Sequence, residues 1–129
     1  MIETQLRNLI VPTSTHIPEI ASRLYIGSMP DVVTYPCAVI YSISRFGEIP
    51  EADVRAERIQ FSCYANTLSS ATTIAEAIKT KVNRYYGQES ASESYHIIHS
   101  YFDNMNYLYE SEIQKYVRIL DMIITYMEV

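Results

Sequence analysis

His96 and His99, three positions apart, are the closest this chain comes to a metal-ligand spacing. On a helix that separation would place both rings on one side. In a strand it sends them to opposite faces, and no third ligand is nearby in sequence. Ordinary strand histidines are the better reading. Cys37 and Cys63 occupy apolar strand positions rather than a CxxC pair or a helix start, so both read as buried, inert thiols instead of nucleophiles. Glu110 and Glu112, with Asp103 and Asp121, can be drawn together as an acidic pair for proton transfer, but carboxylates flanking a hairpin turn are ordinarily solvated. No HExxH, GxSxG, GKS/T or GxGxxG pattern occurs. The sequence points away from an enzyme, with no cofactor or metal centre expected.

Composition narrows the remaining classes. A chain of 129 residues, 48% hydrophobic and 19% charged, is long enough for one domain with a real core, residues 1–129. Ten basic and 15 acidic residues give a formal charge of -5, which argues against a phosphate-gripping surface and hence against tightly bound DNA. The stretch MIETQLRNLIVP carries charge early and only a four-residue apolar run, so neither a signal peptide nor a membrane span is expected. Two cysteines and three glycines supply neither a disulfide scaffold nor a phosphate loop, and reduced thiols are expected. Twelve tyrosines stand out. Their ring and polar tip suit half-buried sheet faces and protein interfaces alike.

The elements that position these residues follow from periodicity. Ile2, Leu6, Leu9 and Ile10 predict a short helix closed by Pro12. Residues 12–22 read as a loop holding at most one helical turn, RLYIG as a short strand, and SMPDVVTYP as a connector. Residues 37–44 alternate with Cys37, Val39, Tyr41 and Ile43 on one face, and residues 57–65 with Ile59, Phe61, Cys63 and Ala65 on one face. An antiparallel hairpin with an even register sum would bring these apolar sets together under a helix. The period then changes at the stretch RIQFSCYANTLSSATTIAEAI: Ala71, Ile74, Ala75, Ile78, Val82 and Tyr85 form one stripe of a helix over about residues 68–86, with Thr67 or Ser69 as cap and Gly87 as terminator. Residues 95–109 and 116–127 predict a long closing hairpin. The expected fold is α+β: a mostly antiparallel sheet of about four to five strands, packed by one long helix, plus a short N-terminal helix.

Two surfaces invite contact. In the final run both parities are apolar, Val117, Ile119 and Ile123 on one side and Leu120, Met122, Ile124 and Tyr126 on the other. One helix covers one sheet face, which leaves the second set needing a partner, and Leu120, Met122 and Ile124 are taken as a candidate interface. The segment RFGEIPEADVRA mixes Arg45, Glu48, Glu51, Asp53 and Arg55 with Phe46, Ile49 and Val54, apolar anchors that a purely solvated loop does not need. It reads as a protruding loop or extended hairpin tip.

The order YPCAVIYSIS, charged loop, RIQFSCYANT, SSATTIAEAIKTKV and a tyrosine-rich hairpin ending YVRILDMIITYM resembles the tail terminator or tail completion proteins of long-tailed bacteriophages, over roughly residues 17–127. The resemblance implies a structural virion protein, not an enzyme, that forms a hexameric ring, caps the tail tube, stops its polymerisation and provides the head-joining surface. It implies as partners further copies of the chain, the tail tube protein and a head-completion or neck protein, with DNA passing through the channel without specific binding and no membrane. Its place would be the head–tail junction of the virion, after assembly in host cytoplasm. Acidic charge suits a channel that must not hold DNA. The same pattern would also serve a small homo-oligomeric α+β binding module enclosing an apolar ligand, or another ring protein of the phage neck or tail.

Overall fold

The computed structural model describes residues 1–11, 17–49, 53–88 and 93–128, without the side chains of residues 47–49. Its elements run α1 (Ile2–Ile10), β1 (Leu24–Ile26), β2 (Cys37–Ile49), β3 (Val54–Ala65), α2 (Leu68–Val82), β4 (Tyr95–Glu110) and β5 (Lys115–Glu128). The strands form one sheet in the order β1-β2-β3-β5-β4. Every neighbouring pair is antiparallel except β1 with β2, which are parallel.

This corrects the expected α+β layout of a mostly antiparallel sheet packed by one long helix. Among the described residues the molecule is sheet-dominated, a five-stranded mixed sheet with two helices of 9 and 15 residues, and no long helix spans the sheet. The stripe read as running to Tyr86 stops at Val82, because β4 takes over the last turn: Ser100 donates its hydroxyl to the carbonyls of Val82 and Tyr85, and the Arg84 amide donates to Ser100 at 2.7 Å. Arg84 turns to a φ of 65°. Gly87, expected to end the helix, instead pairs with Ile97 in an isolated antiparallel bridge. At the other end Thr67 caps α2 as expected, its hydroxyl accepting from the Ser70 amide at 3.1 Å.

The core lies on the helix side of the sheet. Ile74, Ala75, Ile78 and Val82 of α2 meet Ile59, Phe61 and Cys63 of β3 and Leu120, Met122, Ile124 and Tyr126 of β5. Ile2, Leu6 and Ile10 of α1 complete the cluster, with Ile17, Ile20 and Leu24. Gln5 is buried on α1 and fastens it to the sheet through two bonds to Tyr95, accepting from its amide at 3.1 Å and donating to its carbonyl at 2.6 Å.

The β2–β3 register differs from the expected even sum. Cys37 stands opposite Tyr64, Ile40 opposite Phe61 and Ser42 opposite Ile59, an odd sum. Ala38 and Ile40 therefore join the core, while Val39 and Tyr41 share the opposite face with Gln60 and Ser62. The physical reason is that CAVI is apolar in both parities, so alternation alone cannot choose its inward face. Cys37 and Val39 are buried nonetheless, Cys37 with its thiol 3.5 Å from the Met29 sulfur in the connector between β1 and β2. The register also separates the thiols: Cys63 faces the core and Cys37 the other side, and both are free.

Candidate interaction surface

Leu120, Met122 and Ile124 do not form a surface. All are fully buried beneath the helices, so the interface reading of that strand face is corrected. The opposite set holds Val117 and Ile123, also buried, and the half-covered Ile119. On that face Arg58 of β3 bridges to Asp103 of β4 and lies 3.8 Å from Asp121 of β5. Burial pushes the Asp121 carboxyl above its ordinary range, against the opposing pull of Arg58. Of the acidic residues considered for proton transfer, Asp103 and Asp121 thus meet around Arg58, while Glu110 stands opposite Lys115 at the far end of β4 and Glu112 is exposed at the turn.

Of the segment expected as a loop, residues 45–56, residues 45–49 and 54–56 are strand. β2 runs to Ile49, opposite Val54, with irregularities between Ser42 and Ser44 and between Phe46 and Ile49. Phe46 is 43% exposed, and Asp53, with a φ of 52°, is exposed immediately before β3. Arg45 and Arg55 make contacts within the chain: Arg45 lies 3.1 Å from Glu57, and Arg55 3.1 Å from Glu128. The side chains of Glu48 and Ile49, and the whole of Glu51, lie outside the described residues.

Glu57 was not singled out by its sequence context, yet it anchors this hairpin from within. It is buried at 3% exposure and accepts from Ser42 at 2.7 Å, from Arg45 at 3.1 Å and from the Tyr126 hydroxyl. Three donors around one carboxylate compensate the loss of water that burial imposes. Burial, then the bond to Glu57, pushes the Tyr126 hydroxyl well above its ordinary pKa.

β4 carries a run of exposed aromatic and apolar side chains on both of its faces. Tyr101, Tyr107, Leu108 and Tyr109 are 40%, 59%, 39% and 51% exposed. Arg118 of β5 stands over the Tyr107 ring at 5.8 Å, and Tyr109 meets Tyr116 edge to face at 4.9 Å. β4 is also an edge strand. From Tyr95 to Phe102 its outer side is closed: Ile97 exchanges two backbone bonds with Gly87, and the Phe102 amide donates to the Asn83 side chain at 2.8 Å. Residues 103–110 make no backbone bond on that side among the described residues. The signal for this surface was the tyrosine count, and YLY at 107–109 was its local form.

The histidines differ from the expected opposite facing. A β-bulge between Ile97 and His99 inserts one residue, so His96 opposite Met127 and His99 opposite Thr125 share a face. Each packs on a tyrosine, His96 on Tyr86 at 4.9 Å and His99 on Tyr101 at 5.1 Å. Among the described residues no group of three or more His, Cys, Asp or Glu is placed to hold a metal ion. A shallow hollow between α1 and the start of β4 is lined by polar groups of Thr4, Gln5, Asn8, Glu93 and Ser94. Among the described residues no helix is long and apolar enough to cross a membrane. In comparisons with known proteins, no protein-family model and no curated protein matches the chain.

Proposed function

We propose that this chain is a structural assembly protein of the tail terminator kind, closing with copies of itself into a hexameric ring that caps a phage tail tube, stops its growth and offers a surface to the head. The observation that carries the reading is the open outer side of β4 over residues 103–110, beside exposed Tyr107, Leu108 and Tyr109. Unpaired strand edges recruit other strands, and tyrosine with arginine is the composition of contact hot spots. The β2–β3 hairpin, with Phe46 exposed and its base pinned by Glu57, supports a second contact. The order of elements that resembles the terminator family supplies the rest.

The test uses the full chain mixed with a candidate tube protein, read by native mass and by negative-stain projection images. Six-fold rings seated on tube ends are the expected result. Exchange of residues 47–53 for a short Gly/Ser turn should leave the domain folded, because the core pairs of β2 and β3 remain, but abolish capping and give overlong or headless tails. A chain that stays monomeric with and without tubes, or normal-length tails from the exchanged variant, would count against the reading.

A further inference from the structure

We infer that the copies join by strand pairing, head to tail, with residues 103–110 of β4 in one copy laid against the free outer side of β2 in the next. This deepens the ring reading and rests on it. The sheet has two open edges. β1 covers β2 only at Ala38, Val39 and Ile40, so the outer side of β2 beyond Ile40 has no strand beside it among the described residues. β4 is open from residue 103 onward.

The polarity fits. With β2 pointing up, the antiparallel succession β3, β5, β4 makes β4 point down. A neighbouring copy in the same orientation presents β2 pointing up, so the new pair is antiparallel, the better-bonded arrangement. The contact is heterologous, using two different patches, which is what a ring requires and a two-fold dimer does not.

The register is constrained as well. Outward-pointing backbone groups of β4 belong to the residues that share the helix-side face, shown by the bonds of Ile97 and Ser100, and alternation past the bulge after Phe102 extends this to Met105, Tyr107 and Tyr109. On β2, alternation past the bulge gives Arg45, which stands opposite Glu57. Arg45 against Tyr107 joins two outward-bonding residues of the same face, with Ser44 then opposite Leu108 and Phe46 opposite Asn106. Phe46 thereby lies diagonal to Leu108, covering two exposed apolar side chains, within reach of aromatic cross-strand contact.

Closure fits too. Within one copy Phe46 shares a row with Ala56, Thr125 and His99, and Asn106 stands opposite Ile119, so with the bulge after Phe102 taken out, meeting Asn106 of the neighbour shifts the strands by six ladder positions, from Thr125 to Ile119. Six positions are roughly 20 Å along a strand, and five strands are roughly 24 Å wide. A ring closes on that offset when its strands tilt by about 40°, within the tilt of closed barrels.

The experiment introduces Ser44→Cys and Leu108→Cys together into the full chain, with oxidised glutathione as the oxidant; each disulfide formed reduces one oxidised glutathione to two thiols. The two positions form a non-hydrogen-bonded pair with Cα atoms about 4.5 Å apart, inside disulfide range. Cys37 and Cys63 are fully buried, so the background is low. Expected is a ladder of covalent multimers ending at the closed ring, while each single variant yields no ladder. Native-mass hexamers without cross-links would overturn the strand pairing and leave the ring reading standing. Efficient dimers from Leu108→Cys alone would replace it with a two-fold β4–β4 contact. Monomer under all conditions sinks both.

Discussion

The two halves of β4 carry the same backbone groups and meet opposite fates. Over residues 95–102 the outer side is taken up by the Gln5 side chain, the Asn83 side chain, Arg84 and Gly87, and Ile97 and Ser100 are buried. Over residues 103–110 that side has no such partner among the described residues, and the side chains are exposed or half-exposed. Both halves pair with β5 on the inner side, with bulges after Ile97 and after Phe102. The difference teaches that the outer side of the first half is held by contacts specific to this fold, whereas the second half is held from the inner side alone, by β5 and, at Asp103, by Arg58 of β3. A further strand can pair only where such groups remain open to it.

The largest expected effect breaks the support common to both halves. Phe61 is fully buried in the core, and Phe61→Ala should cost about 3–5 kcal/mol, read as a lower urea midpoint. A loss near zero would mean that the core under α2 is not packed as described. Next, Ser100→Ala removes the hydroxyl that holds the carbonyls of Val82 and Tyr85, leaving them without that donor, and should cost about 1–3 kcal/mol. Hydrogen exchange should then rise in residues 95–102 and the end of α2 while residues 103–110 keep their wild-type pattern. Equal rises in both halves would erase the contrast between them.

An alkaline titration sharpens the same picture from the far side of the sheet. Burial pushes the Cys37 thiol from 9.0 up to about 11, with Arg23 partly opposing, and burial pushes Cys63 up as well. The folded thiols keep protons that the unfolded chain releases, so stability is complete below pH 9 and falls as pH rises from about 9 towards about 11. Denaturation curves across that range should show the fall, and native thiols should resist alkylation at neutral pH. Rapid labelling at pH 7 would contradict the burial. The smallest stability effect belongs to the open half. Leu108→Lys, at a position 39% exposed, should stay within about 0.5 kcal/mol of the parent in urea yet block association of copies. A large drop in stability would place Leu108 in the fold rather than on a surface.

Much of this molecule follows from local pattern. The extent of α1, the cap of α2 at Thr67 and the long closing hairpin are legible in the residues because each depends on neighbours a few positions away: the spacing of Ile2, Leu6 and Ile10, a hydroxyl ahead of the first turn, two β-rich runs around a polar turn. The surface was legible only in part. RFGEIPEADVRA marked the hairpin where Phe46 is exposed, but Arg45 and Arg55 turn out to bond within the chain, because their partners Glu57 and Glu128 arrive from register and from a strand 73 positions away.

Long-range pairing decided the rest. Alternation in CAVI cannot tell which parity faces inward, and only the odd register against β3 sends Ile40 to the core and Val39 away from it. A single bulge after Ile97 reverses the facing of His99, a one-residue event that no count of apolar positions reveals. The parallel placement of β1, the early end of α2 at Ser100 and the burial of Leu120, Met122 and Ile124 share that cause. Composition and period determine which residues can form a strand or a helix and which of them are apolar. The tertiary structure alone decides which strand edge finds a partner, because that depends on where distant segments such as residues 83–87 come to rest.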